Sequence, residues 1–270
     1  MKTTTIAALF LCGITIACDE PKTTAPAPAS ATAPPSAAPS VPAAPVAPAA
    51  SPPTPTFVKK LASECKAHPA VVDFTGEEPL EKEVRRKLGK AEGPITPAEL
   101  AQIKSINLAA QGGTLHQIDP CIFPMFTSVK DIFFPPGDYD SLAPLERLTD
   151  IEALGLSQSQ VKDLHPIAGL KHMDRLDLSR TLIGDSDLKV VGSLVDVTEL
   201  TLNDDPISDL TPLANLKKLE KLFIKNTRVQ SVAPLAQLRH LRLLDVAGTP
   251  LQDISPVQPL MSGGMKLIQE

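Results

Sequence analysis

Along the second half of the chain an apolar-x-apolar pair recurs at nearly fixed spacing. The pairs begin at Ile106, Ile132, Leu154, Leu176, Leu200, Leu222 and Leu244, in steps of 26, 22, 22, 24, 22 and 22 residues. A period of that length predicts a solenoid, because a unit this short cannot bury its apolar side alone and must stack on a neighbour. In a strand, alternate side chains face opposite sides. Each pair therefore points into the solenoid and the residue between points out. Three positions after the pair stands a small or polar residue: Ser159, Thr181, Asp205, Thr227 and Thr249. Such side chains suit hydrogen bonding to backbone in the turn of an adjacent coil, where buried polar groups must find partners. Two further on, Val161, Ile183, Ile207, Val229 and Leu251 fill the layer beneath.

The return limb repeats too. Asp163-Leu164-His165-Pro166-Ile167 matches 209–213, 231–235 and 253–257, with Asp or Ser first and Pro fourth. An Asp or Ser cap followed by Pro suits a short 3₁₀ segment, which accounts for these carboxylates as structural caps. The unit from Leu176 carries two extra residues, and its back segment, 186–194, is expected to be a longer helix. Gly263-Gly264 followed by 265–268 reads as a final edge strand acting as a cap.

Upstream of the repeats the pattern becomes helical. Leu80, Val84 and Leu88 lie at i, i+4 and i+8, and Gly89 supplies a stop. Thr96-Pro97-Ala98-Glu99 has the form of a capping box with Pro at the first helical position. Residues 57–104 are thus expected to be a helical cap over the open end of the solenoid. The charges of 81–87, with Glu64, Lys66 and His68, are expected on the solvated surface.

The run Leu-x-Leu-x-x-(Asn/Thr)-x-Ile-x-Asp-Leu-x-Pro-Leu-x-x-Leu stands at 200–216 and, with Ser for Asp, at 222–238. It resembles the short, 22-residue leucine-rich repeat of the internalin-like class. The resemblance covers 106–257, and 78–105 is similar to the helical lead-in of such proteins. It implies an α/β architecture: a curved right-handed leucine-rich-repeat solenoid with a parallel concave sheet and a short 3₁₀ or helical back, used mainly to bind proteins. The first two units depart from the pattern, since Gly112, Gly113 and Cys121 interrupt 109–126 and Phe133-Phe134-Pro135-Pro136-Gly137 replaces the usual strand exit.

Composition divides the chain. Residues 21–56 hold 12 Pro and 12 Ala. Pro fixes φ and removes a donor, so neither helix nor sheet can propagate there. An extended spacer is expected, reaching up to about 100 Å at ~3.1 Å per residue. Before it, Lys2 and an apolar stretch over 6–17 form an export signal, too short to span a bilayer. Thr15-Ile16-Ala17-Cys18 is similar to a bacterial lipobox, which implies lipidation of Cys18; ordinary cleavage after the same small-x-small ending is the alternative. The expected organisation is a signal over 1–17, a linker over 18–56, the helical cap over 57–104, the repeats over 105–260 and a C-terminal cap over 261–270. Asp19 resembles an inner-membrane retention signal of enteric lipoproteins, and the choice between membranes stays open. With Cys12 in the signal and Cys18 lipidated, Cys65 and Cys121 remain. An even pair in an exported domain suggests a disulfide, with two separate buried thiols as the alternative.

Net charge is -5, which argues against a nucleic-acid partner. The five His form no metal or catalytic motif, and no phosphate-binding glycine loop is present. Asp204, Asp205 and Asp209 lack the Gly and distal Glu of a calcium loop. No enzyme activity, metal or cofactor is expected. The outward strand positions remain as the candidate site: Phe133, Arg175, Asp177, Glu199, Thr201, Lys221, Phe223, Lys225 and Asp245. Exposed aromatics and Arg dominate binding hot spots, and Phe223 flanked by Lys221 and Lys225 is the expected centre. The reading is a monomeric, membrane-anchored module of the cell envelope that binds a protein, or alternatively a glycan. A passive envelope component and an unrecognised hydrolase are the rival readings.

Overall fold

The computed structural model describes residues 60–66 and 69–270. The expected signal, Cys18, the Pro/Ala spacer and His68 lie outside the described residues. Eight three-residue strands form one all-parallel sheet in simple sequence order. They are β1 Ser105–Asn107, β2 Asp131–Phe133, β3 Ala153–Gly155, β4 Arg175–Asp177, β5 Glu199–Thr201, β6 Lys221–Phe223, β7 Leu243–Asp245 and β8 Lys266–Ile268. The register aligns Ile106, Ile132, Leu154, Leu176, Leu200, Leu222, Leu244 and Leu267 side by side. The sheet, the coil-by-coil crossovers and the short back segments make a leucine-rich-repeat solenoid. The first two coils, despite their irregular sequence, join the sheet in the same register.

Its core is a continuous column of apolar side chains. Leu200, Leu202, Ile207, Leu213, Leu216 and Leu219 of one coil are fully buried, and so are their counterparts in the next. A buried leucine contributes roughly 1.5–3 kcal/mol, so stability is spread along the stack as repeated increments rather than held in one nucleus.

Local polar chemistry shapes each coil. Asp163, Asp209 and Asp253 accept the amides of His165, Thr211 and Ser255 at 2.8–2.9 Å, which starts the 3₁₀ back segments. At the strand exits Thr249 Oγ1 donates to the Ile224 carbonyl of the preceding coil at 2.8 Å, and Thr227 Oγ1 donates to the same oxygen at 2.9 Å. Gln158, Arg180, Asp204 and Asn226 share a left-handed backbone, with φ of 53–61°. They occupy the same place in successive coils, where Gly248 follows in the next. Coil geometry there overrides the reluctance of L-residues to take φ above zero. In the second coil Gly137 meets the Leu115 carbonyl so closely that a Cβ would lie 1.8 Å from the oxygen. Glycine is required there to let the two irregular loops join.

Helices precede the sheet. Helix α1 spans Glu78–Leu88 and ends at Gly89 with φ 63°; α2 spans Pro97–Leu100 and starts from Thr96 with its capping box intact. Leu80, Val84 and Leu100 are buried; α1 packs against β1, and α2 against the 3₁₀ segment Phe123–Met125. Glu83 corrects the expectation that residues 81–87 are all solvated, for it is fully buried. Its carboxylate accepts from both Arg86 Nε and Nη2 at 2.8 Å, from Gln111 Nε2 at 3.1 Å and from the Asn107 amide at 3.3 Å. The last of these belongs to β1, so one buried carboxylate ties the cap to the sheet edge.

The back of the fourth coil gives a second correction. In place of a longer helix over 186–194 there is a single turn, α3 Leu188–Val191. Asp187 accepts the Gly184 amide at 3.0 Å to make the preceding turn. A Cβ on Gly192 would lie 2.2 Å from the Pro212 carbonyl of the next coil. The two extra residues go into the turn before α3, between Ile183 and Leu188.

Cys65 and Cys121 form a disulfide. It joins the segment before α1 to the loop between β1 and β2. Lys60 adds an ion pair to the buried Asp119 at 2.8 Å, and its backbone exchanges two hydrogen bonds with the Gln117 amide group. No residue of the intervening 62–64 turn is buried, so covalent and polar ties hold this strap in place. After β7, helix α4 Gln258–Ser262 leads into β8, the final strand anticipated from 265–268. Among the described residues no helix is long and apolar enough to cross a membrane.

Candidate functional site

The outward face of the sheet carries two rows of side chains set by the register. One row reads Asn107, Phe133, Gly155, Asp177, Thr201, Phe223, Asp245 and Ile268; the other reads Ser105, Asp131, Ala153, Arg175, Glu199, Lys221, Leu243 and Lys266. Eight of the nine residues singled out from the sequence lie in these rows, and Lys225 sits just beyond β6. The fold brings all nine onto one face.

Ion pairs between strands organise that face. Lys221 Nζ lies 2.9 Å from Glu199 Oε2, one strand away. Arg175 reaches across β3 to Asp131 Oδ1 at 3.3 Å, passing over the small side chain of Ala153. Lys225 Nζ lies 3.2 Å from Asp245 Oδ2. The Glu199 carboxylate holds the Lys221 ammonium above its ordinary range through their hydrogen bond. Such exposed pairs add little stability. Their effect is to fix the positions of the charges on the face.

Individual residues differ in access. Arg175 and Lys221 are exposed, whereas Glu199, Thr201, Lys225, Phe133 and Phe223 are half-buried. Asp177 is also half-buried and internally committed: it accepts from Ser157 Oγ at 2.6 Å and from Ser179 Oγ and its amide at 2.7 and 3.0 Å. Asp245, read from the sequence as an outward contact residue, is only 3% exposed. Its place in the site is to hold Lys225.

The rows are interrupted at β3, where Ala153 and Gly155 supply almost no side chain. The Phe133 ring lies over Gly155, and beside it a recess of about 210 Å³ is lined by Phe133, Leu154, Arg175, Leu176, Asp177, Glu199 and Thr201. Sequence reasoning passed over it because it forms between side chains of four different strands.

A buried carboxyl lies just behind this face. Asp205 occupies the strand-exit slot that holds Ser159, Thr181, Thr227 and Thr249 in other coils. It is 2% exposed. Oδ1 accepts from the Thr181 amide at 2.8 Å and its hydroxyl at 3.2 Å, while Oδ2 has no hydrogen-bond partner. Burial pushes its pKa up to about 7, against the lowering effect of the Thr181 bonds; Asp177 and Asp204 push the same way as burial. No group of three or more His, Cys, Asp or Glu able to hold a metal occurs among the described residues.

No protein-family model matches the chain, and no curated protein sequence matches it. Among solved structures it is similar to an internalin C2 from Listeria monocytogenes str. 4b F2365, with a TM-score of 0.61 and 23% identity over 77% of this chain and 100% of that one. An internalin (inlF) from the same strain matches with a TM-score of 0.40 and 20% identity, over 72% of this chain and 75% of that one. At 23% identity the first likeness is one of fold, and it agrees with the solenoid described above.

Proposed function

We propose that the chain is a non-catalytic binding module that recognises a protein ligand through the concave face of its solenoid. The observation that carries this reading is the register itself. It sets two half-buried aromatics, Phe133 and Phe223, among charges already arranged by the cross-strand pairs Arg175–Asp131, Lys221–Glu199 and Lys225–Asp245. Aromatic side chains amid ordered charge are what a protein contact uses: the rings supply burial and the charges supply register. We further infer an exported protein, held at a membrane by lipid on Cys18, with 21–56 as the spacer that lifts the head.

The test is site-specific photocrosslinking in living cells. A photoreactive phenylalanine at position 223 should capture a discrete protein, and the same group at Gln237, on the back of the solenoid, should not. Replacing both Lys221 and Phe223 by Ala should weaken recovery of that protein at least tenfold while the thermal midpoint stays put. Equal capture from both positions would remove the concave face from consideration. Labelling with a radioactive fatty acid, lost in Cys18→Ser, tests the anchor separately.

A further inference from the structure

The two ends of the solenoid are finished differently. At the β1 end, α1 packs against the edge strand, and Glu83 takes the Asn107 amide. At the β8 end, Leu251, Ile254, Leu260, Met261 and Leu267 are only partly buried, although their counterparts in the coil before, such as Val229, Val232 and Leu244, are fully buried. Strand β8 pairs with β7 alone. The Lys266 amide donates to the Arg242 carbonyl at 2.8 Å, and the Ile268 carbonyl accepts from the Val246 amide at 2.8 Å. Residues 266 and 268 thus direct their backbone groups at β7. By strand alternation, 267 and 269 direct theirs outward, where no partner meets them among the described residues. An unpaired strand edge beside partly covered leucines is a surface made for another strand.

We propose that this edge pairs with the β8 edge of a second copy of the chain, antiparallel and about a twofold axis through Ile268. Three features select that occupant and that register. First, 267 and 269 are the residues with outward backbone groups, and a twofold at 268 sets 267 opposite 269 of the second copy and 269 opposite 267. Both sets form hydrogen-bonded pairs, giving four backbone bonds. Second, the same register sets Lys266 opposite Glu270 of the second copy, twice. Both side chains are exposed. They fall at non-hydrogen-bonded positions, where opposed side chains come closest and opposite charges stabilise. Pairing centred on 267 instead would set Lys266 opposite Ile268 and leave both charges unmatched. Third, the half-buried apolar side chains of the last coil would meet their own equivalents, as a twofold interface requires. The axis runs perpendicular to the sheet, so the two concave faces would open to the same side as one continuous surface of sixteen strands. Two linked faces would raise the avidity for a clustered ligand without any new contact to it.

Sedimentation of the full chain across a concentration series, together with cysteine crosslinking, tests this directly. The chain should dimerise below about 100 µM. Ile268→Cys should form an intermolecular disulfide on mild oxidation, two thiols giving two electrons and two protons to the added oxidant. Gln237→Cys, on the back, should not. Lys266→Glu and Glu270→Lys should each weaken the dimer about tenfold, since each turns two attractive pairs into repulsive ones. The double swap should restore it. All these positions are solvent-facing or at the edge, and unchanged circular dichroism will show that folding is intact. A chain that stays monomeric at about 100 µM, as its sequence alone suggests, or a double swap no tighter than the singles, overturns the proposal.

Discussion

The ring of Phe133 occupies the space that a side chain at position 155 would need: a Cβ on Gly155 would come within 2.7 Å of Phe133 Cδ1. The two residues are register partners on β2 and β3. Absence of a side chain on one strand therefore places the aromatic ring of the other. Gly155→Ala should force the ring aside at a cost of about 1–3 kcal/mol, the usual penalty for overpacking. Urea unfolding measures it. A substitution without effect would mean that the ring is not seated over β3, and the recess beside it would lose its definition.

Asp205 should make stability fall as pH rises. Its folded pKa is raised to about 7, above the ordinary ~3.9 it recovers on unfolding. Between those values the folded protein retains a proton that the unfolded chain has released. The contribution of Asp205 is therefore fully present below about pH 4, declines through pH 4–7 and is lost above. Asp205→Thr restores the residue type that Thr181, Thr227 and Thr249 place in this slot. It should flatten the slope and raise stability at pH 8 by about 2–4 kcal/mol. Unfolding curves at pH 4, 6 and 8 on both proteins would show it, and parallel pH profiles would contradict the assignment.

Glu83 should cost more to truncate than its neighbours on the charged face of α1, because it alone of those charges is buried. Glu83→Ala leaves Arg86, Gln111 and the Asn107 amide without their acceptor and should lower stability by about 1–3 kcal/mol, since Arg86 is exposed and regains water. Glu83→Gln keeps an acceptor and should cost less. Hydrogen exchange should localise the loss to the Asn107 amide and α1. Uniform loss across all coils would argue against a local tie.

Reduction of Cys65–Cys121 should loosen the strap at 60–65 and leave the concave face intact. The chain-entropy account puts the stabilisation at about 4 kcal/mol for a loop of this length. Proteolysis after treatment with a dithiol reductant should cut first between 60 and 78. Cleavage starting within the repeats would show that the bond supports the solenoid as a whole.

Much of this architecture was written along the chain. The spacing of Leu176, Leu200, Leu222 and Leu244 determined the strands and their register, because a coil of 22 residues can close in few ways and leucine must turn inward. The capping box at Thr96 and the stop at Gly89 set the helix ends through local hydrogen bonding alone, and two cysteines in the body left one pairing. The stacking decided the rest. Glu83 reads as one more charge on a polar helix face until β1 and Gln111 close over it. Asp245 reads as outward until Lys225 covers it. Gln158 and Arg180 carry no mark of the left-handed backbone that Asn226 and Gly248 suit in the same slot. Gly155 reads as a gap in the outward row until the Phe133 ring lies over it. A repeat in sequence specifies what each coil does within itself and to the next; burial, strain and open edges depend on which coil lies alongside, or on none doing so.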